Sequence, residues 1–181
     1  MAGKDGKDGK GKLAESLARS FGTGDSGYEV SEAFAAPERR KLHGEWIVVS
    51  HTVDGEDWLA GFARTAVKGQ ALRGAAAESR YRFHERICVK RTKVEGLVDL
   101  PEGTLSYSFS LGLALGWELA PGGRIRARAE LGYVTTSLGG EPAATRELKD
   151  QGEDLSISYR FEGGDLVLEE GGDLKRLRRL A

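Results

Sequence analysis

The sequence predicts a mainly β protein, an antiparallel up-and-down β-barrel of about eight strands with short N-terminal helices. Three observations carry this. Residues 104–119 alternate without a break: Leu105, Tyr107, Phe109, Leu111, Leu113, Leu115, Trp117 and Leu119 share one face, and small or polar residues fill the other. Twenty-six glycines against four prolines suit a chain with many tight turns. Toward the C-terminus, Glu162-Gly-Gly-Asp165 and Gly171-Gly-Asp173 join three short apolar stretches, and links so short imply antiparallel hairpins.

The bulk composition is compatible with one packed domain plus extensions. At 39% hydrophobic and 30% charged there is material for a core, and the net charge of −1 gives no field favouring nucleic acid or a membrane surface. Cys88 stands alone, so an internal disulfide is impossible. The first residues lack the apolar stretch of a signal peptide, and no run reaches the ~18–20 apolar residues of a membrane helix. The expected setting is cytoplasmic; the alternative is a periplasmic or secreted mature form with its leader removed.

Along the chain, residues 1–12 form a Lys/Asp/Gly tail with nothing to bury. Residues 13–43 read as a helical extension. Leu13, Leu17 and Phe21 recur every fourth place, and a second helical stretch from Ser31 is interrupted at Pro37 and stopped by Gly44. The barrel is expected over residues 44–181. Its first strand is GEWIVVSHTV, with Trp46 and Val48 on one face and Ile47, Val49 and Val53 on the other, followed by the turn signal Asp54-Gly55.

Helical spacing of Trp58, Phe62 and Ala66 predicts a helix over 57–67, with the residues up to 77 as loop. From Arg80 a strand places Tyr81, Phe83, Ile87 and Val89 on one parity and Arg80, Arg82, His84, Arg86 and Lys90 on the other. Residues 104–119 would span about 50 Å at ~3.3 Å per residue, so a bend is expected at Gly112 or Gly116. Residues 124–135 alternate Ile125, Ala127, Ala129, Leu131 and Tyr133 with arginines and Glu130. Residues 137–154 read as a polar loop with a helical turn around 144–149. Strands then follow at 155–161, 166–169 and 174–180.

Gly44-Glu45-Trp46 after a short helix, the strand it opens, and the closing run from Asp165 to Arg179 together resemble small bacterial lipocalin-like (calycin-type) β-barrel domains. The resemblance implies a Trp of the first strand packed under an Arg of the last. Trp46 would take the first role, and Arg176, Arg178 or Arg179 the second. It covers the two ends of the chain; the family's central Thr-Asp-Tyr element is absent. The bland alternative for Trp46 is a large core residue at a strand start.

Candidate ligand-binding residues are those of the apolar faces, Tyr81, Phe83, Tyr107, Phe109, Trp117 and Tyr133, together with Glu85, an acid on an otherwise apolar parity. The apolar face would line either a ligand cavity or a filled core. Glu85 would be a polar anchor, or a bulge would turn it outward. Arg80, Arg82, Arg86 and Lys90 with Arg124, Arg126 and Arg128 would form a cationic patch if their strands are neighbours, or a solvated outer face. Cys88, opposite the apolar parity, would be an exposed thiol with Lys90 lowering its pKa. His43, His51 and His84 have no metal-ligand spacing, and no catalytic, phosphate-loop or dinucleotide motif occurs, so no cofactor, metal or nucleic-acid partner is expected.

Two functions follow as expectations. The first is a non-enzymatic lipocalin-like protein holding a small apolar or amphipathic ligand in the barrel. The alternative is a structural or assembly protein with a filled barrel, docking to a partner or to its own copies through residues 1–21. An enzyme built around Glu85 ranks third.

Overall fold

A computed structural model describes residues 37–67, 69–148 and 154–181. The tail, the helix expected over 12–21 and the assembly function resting on them lie outside the described residues. The first described element is a short helix, α1 (Pro37–Leu42), opened by the proline of the predicted interruption. Then come β1 (Gly44–Val53), β2 (Glu56–Asp57), α2 (Trp58–Thr65), β3 (Leu72–Phe83), β4 (Ile87–Leu100), β5 (Gly103–Ala120), β6 (Arg124–Leu138), β7 (Glu141–Leu148), β8 (Asp154–Glu162), β9 (Asp165–Glu170) and β10 (Asp173–Arg179).

Eight of these strands close an antiparallel barrel in the order β1-β3-β4-β5-β6-β8-β9-β10, with β10 pairing back onto β1. Closure removes the unpaired edges that an open sheet would expose. β2 returns on β1 through Asp54 and Gly55, whose positive φ values of 52° and 85° suit a tight hairpin. β7 pairs with the last residues of β6, and β8 with its first.

Two apolar clusters fill the inside. The lower one packs Trp46, Phe83, Leu115, Trp117, Ile125, Leu166 and Leu177, and Leu42 of α1 joins it from the closed end. The upper one packs Leu72, Val94, Val98 and Tyr107 beneath the apolar side of α2, which presents Trp58, Leu59, Phe62 and Ala63. That helix starts where predicted because Asp57 caps it, its Oδ1 accepting from the Ala60 amide at 2.8 Å.

Several sequence expectations are corrected. β3 begins at Leu72, not Arg80: the Leu-Arg-Gly-Ala-Ala-Ala stretch has little intrinsic strand preference, yet it pairs with β4 across an irregularity between Arg73 and Ala76. Residues 80–90 are not one strand, because His84, Glu85 and Arg86 form the turn between β3 and β4. Residues 137–154 are not a loop with a helical turn: β6 continues to Leu138 and β7 runs from Glu141 to Leu148.

β5 runs unbroken through Gly112 and Gly116, and the irregularity lies opposite, where Ala114 and Leu115 face Leu131 and Ala129 and leave Glu130 as an extra residue on β6. Gly112 serves close approach instead, since a Cβ there would stand 2.4 Å from the Tyr133 ring.

Candidate functional site

The lower end of the barrel is packed shut. The Arg179 guanidinium lies 4.4 Å from the centre of the Trp46 ring, and the two residues are register partners on β10 and β1. Arg179 also donates from Nη1 to the His43 carbonyl at 2.8 Å and from Nη2 to the Lys41 carbonyl, tying α1 to the last strand. The Trp46 indole donates to the Leu42 carbonyl at 2.8 Å. Of the three arginines offered for closure, Arg179 makes the contact. Arg176 and Arg178 are corrected by strand parity: Leu177 and Arg179 share the inward phase, while their neighbours pair outside with Glu162 and Asp165.

Between the two apolar clusters lies a cavity of about 270 Å³. Its apolar side comes from Trp58 and Phe62 of α2, Phe109 and Leu111 of β5, and Val48 of β1. The rings form a contact series: His51 stacks on Trp58 at 4.9 Å and 15°, and tilted contacts link Trp58 to Phe62 at 5.4 Å and Phe62 to Phe109 at 5.1 Å. The opposite wall is polar and carries Tyr81 and Ser79 of β3, Lys90 and Thr92 of β4, His51 of β1, and Asp173 and Lys175 of β10.

These polar groups are ordered among themselves. Asp173 accepts at Oδ1 from His51 Nε2 at 2.8 Å and at Oδ2 from Lys175 Nζ. Burial works to raise the Asp173 pKa, but the bonds from His51 and Lys175 prevail and hold it at about 2. Ser79 and Thr92 share a hydroxyl hydrogen bond of 2.9 Å. Lys90 Nζ lies 5.7 Å from the centre of the Tyr81 ring, its cross-strand partner. Burial first, and then the Lys175 charge, bring the Lys90 pKa down to about 8, although Asp173, Cys88 and Glu170 pull the other way. Burial likewise pushes the Tyr81 phenol well up, so it stays protonated as a donor.

A second, shallower cleft of about 180 Å³ adjoins the cavity and shares Val48, His51, Trp58 and Ser79 with it. It sits where β1 and β3 separate. They pair only from Gly44 to Ile47 and Phe83 to Arg80, and α2 crosses the gap above.

The predicted ligand residues divide. Tyr81 and Phe109 line the cavity. Phe83 and Trp117 belong to the packed lower cluster, 5.3 Å apart edge to face, and the Trp117 indole donates to the His84 carbonyl at 2.8 Å. Tyr107 is in the upper cluster. Tyr133 is corrected: the extra residue Glu130 reverses the phase of β6, so its ring lies over Gly112 on the outer side. Glu85 is corrected too, being exposed in the β3–β4 turn.

The same turn reverses the phase of β4, so Cys88 and Lys90 point inward. Cys88 is 2% exposed, and burial raises its thiol pKa far more than Lys90 lowers it. Among the described residues no shared cationic patch forms, because β4 and β5 separate β3 from β6, and Arg80 and Arg126 pair with glutamates on the outer face.

Sequence reasoning missed His51, Trp58, Phe62, Lys90, Asp173 and Lys175. Two signals could have found part of the set: Lys175 alternates with Leu177 and Arg179, and Lys90 alternates with Thr92 and Val94 once the turn at Glu85 restarts the count. Comparison with protein-family models, with curated proteins and with solved structures finds no match for this chain.

Proposed function

We propose that the chain is a non-enzymatic, lipocalin-like binding protein that holds a small amphipathic molecule inside the barrel. The observation that carries this is the interior cavity, apolar on the α2 and β5 side and lined by oriented polar groups opposite. Binding sites are commonly concave and largely apolar, with a few placed polar groups to fix orientation. At about 270 Å³ the space falls just below the ~300–1,000 Å³ typical of drug-sized ligands, which favours a compact molecule over a long acyl chain. The first-strand tryptophan beneath a last-strand arginine supports the lipocalin-like assignment as well, because it is the contact expected from the resemblance.

The test is thermal unfolding of the full chain with compact amphipaths: benzyl alcohol, benzoate, hexanol and hexanoate. A ligand that binds only the folded protein stabilises it by ~2.7 kcal/mol at a hundredfold excess over its Kd. At least one of these probes should raise the Tm, and Val48→Phe, which projects a ring into the cavity, should remove the effect. No increase with any of the four would contradict the proposal.

A further inference from the structure

We propose that the cavity selects a small organic monoanion, with its acid group against the Lys90 ammonium and its apolar body beneath Trp58, Phe62 and Phe109. The inference rests on the cavity being a ligand site and adds the chemical class of the ligand.

The polar wall holds two ammonium groups, Lys90 and Lys175, and one carboxylate, Asp173. Both carboxylate oxygens are taken, one by His51 and the other by Lys175. Among the described residues Lys90 makes no hydrogen bond or ion pair; its close contact is the Tyr81 ring. A partly buried ammonium without a contacting counterion is costly, and one negative charge delivered by a ligand would relieve that cost.

Within the cavity lining Lys90 is the one ammonium without a carboxylate of its own, Glu170 acting on it only from outside the lining, which favours a monoanion over a phosphate dianion. Tyr81 and Thr92 add hydroxyls beside Lys90 on the same wall. The rings of Trp58, Phe62 and Phe109 have no charge to offer, so they suit the apolar remainder of the ligand.

The groups facing Lys90 are Tyr81 of β3, Cys88 of its own strand, Glu170 of β9, Asp173 and Lys175 of β10, and His51 of β1. β5 and α2 contribute only apolar side chains to the cavity. The Lys90 pKa of about 8 in the free protein gives the inference a pH signature. The anion binds the protonated amine, so affinity should be level below pH 8. It should fall by up to ~tenfold per unit above that, and binding near pH 8.5 should take up a proton.

The experiment is calorimetric titration of the full chain with benzoate and with benzyl alcohol, its uncharged counterpart of similar size. At pH 7 benzoate should bind at least about tenfold more tightly, a difference of ~1.4 kcal/mol. The preference should vanish in Lys90→Met and Lys90→Gln and survive in Lys90→Arg. It should also fade between pH 8 and 10, with proton uptake seen as a dependence of the heat on buffer. Benzyl alcohol binding as tightly as benzoate, or benzoate preference persisting in both neutral Lys90 variants, would overturn the anion assignment and leave the cavity as a neutral-ligand site. Binding of neither probe, nor of hexanol or hexanoate, would overturn the ligand site itself.

Discussion

Lys90 is the residue on which the energetics of the free protein and its proposed chemistry meet. Its ammonium lies among buried groups, and its pKa falls from 10.5 to about 8. At ~1.4 kcal/mol per unit, that displacement is a destabilisation on the order of 3–4 kcal/mol at neutral pH. The sign follows from proton counting: between pH 8 and 10.5 the unfolded chain binds more protons at this position than the folded one, so stability rises with pH across that window. Lys90→Met should therefore raise the stability of the ligand-free protein at pH 7 by about 2 kcal/mol and flatten this rise, as read from urea unfolding at several pH values. Asp173 works in the opposite sense. Its folded pKa of about 2 lies below the ordinary 3.8, so its contribution is complete above pH 4 and is lost as the pH falls toward 2. Asp173→Asn should remove that acid-range loss while lowering stability at pH 7, because Lys175 and His51 would both lose their anionic acceptor.

At the scale of elements, two β-bulges and one turn decide which side chains face the cavity. On β1 the pairing with β10 slips between Val48 and Ser50, leaving Val49 as an extra residue and bringing His51 opposite Lys175. Without that slip His51 would share the outer face with Ile47 and Val49, and Asp173 would lose a donor. On β6 the extra residue Glu130 turns Tyr133 out over Gly112. Gly112→Ala should cost about 1–3 kcal/mol in unfolding experiments, because its Cβ would collide with that ring. Tyr133→Ala in the same chain should recover most of the loss; full cost in the double variant would place the effect elsewhere.

These devices also explain what could be read from the sequence. Alternation over 104–119 located β5 and its inward face, and the glycine links gave the C-terminal hairpins, because both signals are local. The inward placement of Lys90, Cys88 and His51 was hidden. Period-two counting fails wherever a turn or an extra residue restarts the phase, and such a restart is written in pairing between distant strands. The apolar face of β5 divides between packing and open space: Leu115 and Trp117 are packed core, and Phe109 and Leu111 line the cavity.

For the molecule as a whole, the barrel is sealed at one end and encloses a cavity between its two apolar clusters. The sealed end depends on Arg179 reaching across Trp46 to carbonyls of α1 and the residue after it. Arg179→Ala should cost about 1–2 kcal/mol in denaturant unfolding, and Arg179→Lys should restore only part of it, since an ammonium lacks the planar fork that serves ring and carbonyls together. Above this seal, α2 borders the cavity with Trp58 and Phe62, so the fold combines a packed base with a bounded interior space. The central claim is that this space takes up a ligand, and the three tryptophans test it most directly. Trp46 and Trp117 donate their indole N–H groups to backbone carbonyls in the packed base, while Trp58 lines the cavity. In a 1H–15N NMR titration with benzoate and, separately, benzyl alcohol, the Trp58 indole resonance should move saturably while those of Trp46 and Trp117 stay in place. An unmoved Trp58 resonance at saturating concentrations of both compounds, or shifts confined to the other two, would contradict the account.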